Sequence, residues 1–154
     1  FYDFHAPFVF YEPGFNLRPT DLNAFIGIEQ LHKLDWMTGR RQANHERYLQ
    51  HLGSRFYTQR PPTGSKVASI SFGLLADSTE QRRRIVRALV TEGVETRIFS
   101  AGNLGLHPFW MNRYGKASFP VADRVHHCGF FLPNHASMNE QDVAPIARIV
   151  LEAA

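Results

Sequence analysis

Cysteine is almost missing from this chain: Cys128 is the only one in 154 residues. No internal disulfide and no zinc centre built from several cysteines can form. Such thiol usage fits a reducing compartment, and the cytoplasm is the expected location. No apolar run approaches the roughly 20 residues that cross a bilayer, and no signal peptide is visible, so no membrane partner is expected. Charge of one sign is scarce too. Seventeen Lys and Arg against 14 Asp and Glu leave a formal charge of +3. That permits an anionic ligand such as a phosphate without calling for nucleic acid. There is no Walker A loop, no dinucleotide-binding fingerprint and no nucleophile elbow. Internal repeats and low-complexity segments are absent as well.

What is present is apolar and aromatic. Hydrophobic residues make up 44% of the chain, enough for a sizeable core, and 13 Phe dominate the aromatic share. Residues 1–12 are aromatic and loosely alternating, which predicts a strand or an extended arm. The chain opens on Phe1 in the middle of an apolar segment and reads as a piece of something longer.

A helix is predicted from Thr20 to Asp35. Pro19 and Thr20 supply its start signal, Asp21 favours its dipole, and Leu22, Phe25, Ile26, Leu31 and Leu34 recur at helical spacing. A second helix is predicted over 36–52 and stopped by Gly53, with Gly39 loosening the join. Residues 54–66 read as loop. Lys66 to Leu75 alternates as a strand. Ser78-Thr79-Glu80-Gln81 is a capping box that opens a helix ended by Gly93. Val94 to Phe99 reads as a second strand beside the first. A long loop over 100–120, with one short helix near 109–113, precedes a short helix over 121–128. Phe130-Phe131-Leu132 reads as a third strand, and Asn139 caps a last helix that tolerates Pro145 near its start. The expected fold is α/β in class, a small α+β domain with a three-stranded, mainly antiparallel sheet covered by helices.

Four groups could carry chemistry. Asn16 and Arg18, just before a helix N-terminus, suit a phosphate; a solvated helix entry is the plain alternative. Arg97 ends a strand, and Asn103 and His107 follow in a Gly-rich loop. They could face a ligand, or Asn103 could merely close a turn beside Gly102. Arg82-Arg83-Arg84 with Arg87 is more simply a solvated helix face than a nucleic-acid contact, since no aromatic residues interleave. His126-His127-Cys128 points in different directions on a helix and forms no metal set.

The stretch Gly14-Phe15-Asn16-Leu17-Arg18-Pro19-Thr20-Asp21-Leu22-Asn23-Ala24-Phe25-Ile26-Gly27-Ile28-Glu29-Gln30-Leu31 resembles a segment of the DegT/DnrJ/EryC1/StrS sugar aminotransferases, which are fold-type I pyridoxal-phosphate enzymes. Lys33-Leu34-Asp35 and Arg40-Arg41-Gln42-Ala43-Asn44 fit the same helix pair. Glu95-Thr96-Arg97, then Gly102-Asn103-Leu104 and His107-Pro108-Phe109, is similar to the pattern of the 4-keto-6-deoxyhexose 3-dehydratase subgroup. Phe119-Pro120-Val121-Ala122-Asp123-Arg124 and Leu132-Pro133-Asn134-His135 extend the resemblance over nearly the whole chain. Phe25 departs from it, standing where the family usually has Ala.

The resemblance implies the C-terminal part of such an enzyme: 1–18 an arm from a preceding large domain, 19–154 the small domain. It implies pyridoxal or pyridoxamine 5′-phosphate as cofactor in the complete enzyme and a nucleotide-linked keto-deoxysugar as substrate. It also implies a homodimer and a place in deoxysugar biosynthesis of the lipopolysaccharide O-antigen kind. Asn16 would contact the cofactor phosphate in a neighbouring subunit's site. Arg18, Arg97, Asn103 and His107 would lie on the substrate side. The lysine that holds the cofactor, or the histidine that replaces it in dehydratases, would lie in the large domain. No catalytic residue or metal ligand is therefore expected here. A stand-alone, non-catalytic nucleotide- or protein-binding module on the same scaffold is the alternative.

Overall fold

A computed structural model describes residues 4–15 and 18–154. A 3-10 turn over Ala6–Phe8 lies in the N-terminal arm. Helices α1 (Asp21–Leu31) and α2 (Leu34–Leu52) follow, then strands β1 (Tyr57–Thr58) and β2 (Ser71–Leu75), helix α3 (Thr79–Thr91) and strand β3 (Arg97–Ile98). A 3-10 turn at Leu104–Leu106, helices α4 (Pro108–Tyr114) and α5 (Pro120–Cys128), strand β4 (Gly129–Pro133) and helix α6 (Glu140–Glu152) complete the chain.

The capping signals act as read. Ser78 Oγ accepts from the Gln81 N–H at 3.1 Å. The Gln81 amide reaches back one residue further than expected, to the Asp77 N–H at 2.6 Å. At α6, Asn139 accepts from Gln141 while Asp142 accepts from the Asn139 N–H at 2.9 Å. The helix runs unbroken through Pro145. At α1 the Asn23 side chain closes on Thr20, accepting from its N–H at 3.0 Å and its hydroxyl at 2.7 Å. The first two helices break at His32-Lys33, a few residues before the expected join at Asp35-Trp36, and Gly39 lies inside α2.

Among the described residues the sheet has four strands, not three, in the order β1-β2-β4-β3, and every pairing is antiparallel. The extra strand, β1, falls in the stretch read as loop. The second correction concerns neighbours: β3 pairs with β4, not with β2. Strands β2 and β3 are joined by α3 as a split β-α-β unit, and β4 inserts between them. Five residues of β4 pair with all of β2, so β4 is the strand best able to share both edges.

One face of this sheet carries the core. Phe72 and Leu74 pair across from Leu132 and Phe130 and are fully or nearly fully buried. Ile85, Leu89, Val143, Ala147 and Val150 come down on them from α3 and α6, and Tyr48 and Leu52 from α2. Each large aliphatic or Phe side chain among them contributes roughly 1.5–3 kcal/mol by burial. Tyr48 stacks on Phe72 at 4.9 Å and donates its hydroxyl to the Pro133 carbonyl at 3.0 Å. Burial, with the Asp142 charge adding to it, pushes its phenol well above the ordinary tyrosine range. On the other face Phe99 stacks on Phe131 at 4.5 Å, directly over Gly73. A side chain at 73 would occupy the space these rings fill, which explains a glycine inside a strand.

Candidate ligand cleft and the loops that shape it

Opposite the core face, β3, β4 and the segment after β4 enclose a cleft of about 530 Å3. Thr96, Arg97, Phe131, Asn134 and His135 line it, together with Arg41 from α2. Arg97 is exposed and holds Glu95 through Nε at 3.2 Å and Nη2 at 3.0 Å. An exposed pair of this kind adds little stability, so the guanidinium is available to a ligand at small cost. Thr96 is fixed by donating to the Phe131 carbonyl at 2.8 Å.

The floor of the cleft is less satisfied. Asn134 is fully buried and donates its amide to the carbonyls of Arg41 at 3.0 Å and Ser69 at 2.9 Å. Its Oδ1, like the Arg41 Nε, is buried without a hydrogen-bond partner. Unpaired buried polar atoms cost about 1–3 kcal/mol each. Two of them on one cleft mark it as a place where a ligand or water would complete the bonding.

A second set of residues shapes the loop that follows β3. Asn103 is 2% exposed, and its side chain and N–H together make four bonds. Its Nδ2 donates to Asp123 at 2.6 Å and to the Ala117 carbonyl at 3.4 Å. Its Oδ1 accepts from the Gly105 N–H at 2.8 Å, and its own N–H donates to His126 Nδ1 at 3.2 Å. Ser118 donates to the other Asp123 oxygen at 2.6 Å. These side-chain bonds, Ser118 first and Asn103 next, hold the Asp123 carboxyl below its usual range. His107 is buried likewise. Its Nδ1 accepts from the Phe10 N–H at 3.0 Å, its Nε2 lies 2.9 Å from the Ala101 carbonyl, and its ring stacks on Phe10. Those two bonds fit a ring that accepts at Nδ1 and donates from Nε2.

Asn103 and His107 therefore belong to the internal frame of the loop, whereas Arg97 stands on the open cleft. Arg18 lies exposed just before α1. Asn16 lies outside the described residues. An exposed guanidinium before a capped helix start fits an anionic group such as a phosphate.

The basic run is divided by its own helix. Arg82 turns inward, donating to the His126 carbonyl at 2.7 Å, with its guanidinium 5.5 Å from the Phe4 ring. Arg83 pairs with Glu80, and Arg84 donates to the last two carbonyls of the chain. Sequence reading missed the inward Arg82 and its neighbours. His5 in the arm stacks on His126 at 4.2 Å, a pairing that no local pattern announces. Among the described residues, no group of three or more His, Cys, Asp or Glu is placed to hold a metal ion, and no helix is long and apolar enough to cross a membrane.

The sequence profile of the DegT/DnrJ/EryC1/StrS aminotransferase family matches residues 4–151. The chain belongs to this family. It is 34% identical over 102 residues to a GDP-4-keto-6-deoxy-D-mannose 3-dehydratase of Escherichia coli O55:H7, covering 65% of this chain and 26% of that protein. It is 27% identical over 156 residues to a dTDP-4-dehydro-2,6-dideoxy-D-glucose 3-dehydratase of Saccharopolyspora spinosa, covering 95% of this chain and 34% of that one. Among solved structures, an E. coli GDP-4-keto-6-deoxy-D-mannose-3-dehydratase with bound hydrated PLP superposes with a TM-score of 0.74 at 23% identity, over 90% of this chain and 37% of that one. That likeness establishes the family's fold. The chain spans about a quarter to a third of the length of these curated relatives.

Proposed function

We propose that this chain is the C-terminal small-domain part of an enzyme that uses pyridoxal or pyridoxamine 5′-phosphate to modify a nucleotide-linked 4-keto-6-deoxyhexose. Within that class it fits the 3-dehydratases better than the aminotransferases. The observation that carries the reading is the exposed Arg97 of Glu95-Thr96-Arg97, standing on a cleft whose floor is left short of hydrogen-bond partners. The family match and the dehydratase names of its relatives support it.

Each residue's part follows from its surroundings. Arg97 meets the anionic or hydroxyl-rich substrate from the open side of β3. Asn103 and His107 serve the site by positioning: their buried, bonded atoms hold the 100–107 loop against the arm. Asn16 and Arg18 offer an amide and a guanidinium to phosphate oxygens, Asn16 to the cofactor of a second subunit. The bound cofactor supplies the electron sink that the reaction at the sugar requires; this chain's residues bind and orient. The lysine or histidine that works on the cofactor belongs to the large domain.

The same reading accounts for α1. None of its residues is buried, and Leu22, Phe25, Ile26, Ile28 and Leu31 are all more than half exposed. Such an apolar surface supports association in the intact enzyme, as a homodimer. Asn16→Ala in the complete enzyme is expected to loosen cofactor retention, read by absorbance after dialysis. Retention equal to that of the unaltered enzyme would refute the phosphate role.

A further inference from the structure

We propose that the N-terminal arm is a pH-sensitive strap on the Arg97 cleft, released when His126 and His107 take up protons. The inference goes beyond the reaction proposed above and stands whatever that reaction is.

The geometry turns on which nitrogens accept. His107 Nδ1 accepts from the Phe10 N–H at 3.0 Å, while its ring stacks on Phe10 at 5.1 Å. His126 Nδ1 accepts from the Asn103 N–H at 3.2 Å, in the loop that ends at His107, while its ring stacks on His5. A proton on either Nδ1 turns that acceptor into a donor facing an N–H, so the bond cannot survive it. At His126 there is no room for a water to take over: a Cβ on Gly102, whose φ is +67°, would run into the ring. One backbone bond, from the Phe109 N–H to the Phe10 carbonyl at 3.2 Å, adjoins the His107 clasp. Further contacts of the arm run from Phe4 and His5 to Arg82.

The surroundings oppose added positive charge. Arg82 of α3 lies 3.4 Å from His5 Nε2 and donates to the His126 carbonyl. His127 meets the His126 ring edge-on at 5.0 Å. His107, packed against Phe10 and Phe109, is near enough for its charge to act on His126. The opposing charge is Asp123, whose two oxygens are already engaged by Asn103 and Ser118. Burial first, then His127, Arg82 and His107, holds His126 below its ordinary 6.5. The docked arm therefore binds protons less readily than the released one. Docking is intact above about pH 6.5 and declines as pH falls below it. Phe8 carries the consequence. It lines the Arg97 cleft, and its N–H donates to the His5 carbonyl at 2.8 Å, so it moves with His5. Release withdraws an apolar wall from the cleft and widens access to Arg97.

The test is amide hydrogen exchange of the full-length protein between pH 7.5 and pH 5, read by NMR and corrected for the intrinsic pH dependence of exchange. The Phe10 and Asn103 amides are expected to lose protection by at least about tenfold, the scale of one linked proton over a pH unit. Amides of β2 and β4 should keep theirs, which separates strap release from global unfolding. His107→Asn combined with His126→Asn places an amide oxygen where each Nδ1 stood and cannot titrate. That double variant should keep both amides protected at pH 5. If it does not fold, nitrogen NMR of the unaltered protein reads the same event: His126 Nδ1 should take up its proton at the pH where the Asn103 amide loses protection. Four results overturn the strap. They are protection that does not change with pH, loss in β2 and β4 in step with the arm, an equal acid loss in the folded double variant, and protonation of both rings with the two amides still protected.

Discussion

The imidazole of His5 stacks on that of His126 with centroids 4.2 Å apart and 24° between the ring planes. The contact ties the first described residues of the arm to the end of α5, more than a hundred positions away. Arg82 Nη1 lies 3.4 Å from the His5 Nε2 and also donates to the His126 carbonyl. Removing this guanidinium leaves the His126 carbonyl short of a donor and strips the cation from the Phe4 face. Arg82→Ala is expected to cost about 1–3 kcal/mol, measured by urea unfolding. A loss below about 0.5 kcal/mol would place Arg82 among ordinary surface residues.

Acid should weaken the same region. Burial, then the charges of His127, Arg82 and His107, holds His126 below its ordinary 6.5, with Asp123 opposing. Burial does the same to His45, with Glu46 opposing. Both imidazoles bind protons less readily in the folded chain than in the unfolded one. Their contribution to stability is therefore intact above about pH 6.5 and declines as pH falls below it. Unfolding midpoints at pH 8, 7, 6 and 5 should show a plateau and then a drop. Stability that rises on acidification through this window would contradict the assignment.

His45 offers a sharper version. It is 6% exposed, packs edge-on against Phe72 at 5.0 Å, and neither ring nitrogen has a hydrogen-bond partner. An apolar side chain of similar size removes that deficit. His45→Leu is expected to be neutral or to stabilise by about 1 kcal/mol, and to flatten the acid slope. Marked destabilisation would mean that a buried water or ligand satisfies the ring.

Much of this fold is written locally. Ser78 with Gln81 and Asn139 with Asp142 mark two helix starts through bonds spanning three or four residues, and these are legible in any window of sequence. The sheet order is not. Phe130-Phe131-Leu132 announces a strand, but nothing local says that it slips between β2 and β3. That choice depends on Phe72 and Leu74 meeting Leu132 and Phe130 on the core face. The site divides the same way. Arg97 could be read from its place at a strand end, whereas Arg41 and Asn134 join the cleft floor from 93 positions apart. Asn103 could be read as a loop residue, but its bond to Asp123 depends on the placement of α5.

Gly73 tests the packing of the sheet's second face. A Cβ there would come within 2.9 Å of the Phe99 Cζ and 3.2 Å of the Phe131 Cε1, and closer still to the Phe99 ring edge. Gly73→Ala should cost about 1–3 kcal/mol through overpacking, and more in Gly73→Val. Thermal unfolding checks the order; an alanine variant as stable as the parent would mean that Phe99 swings away freely.

The sugar product of the complete enzyme distinguishes dehydration from transamination. Incubation with pyridoxal phosphate, glutamate and a nucleotide-linked 4-keto-6-deoxyhexose, followed by mass spectrometry of the sugar, is the most direct measurement. The predicted product has lost the C3 hydroxyl and carries no new nitrogen, and Arg97→Ala should reduce its formation without moving the unfolding midpoint. A sugar that keeps its C3 hydroxyl and gains an amine would contradict the dehydratase reading, and an enzyme that neither binds the cofactor nor alters the sugar would contradict the whole account.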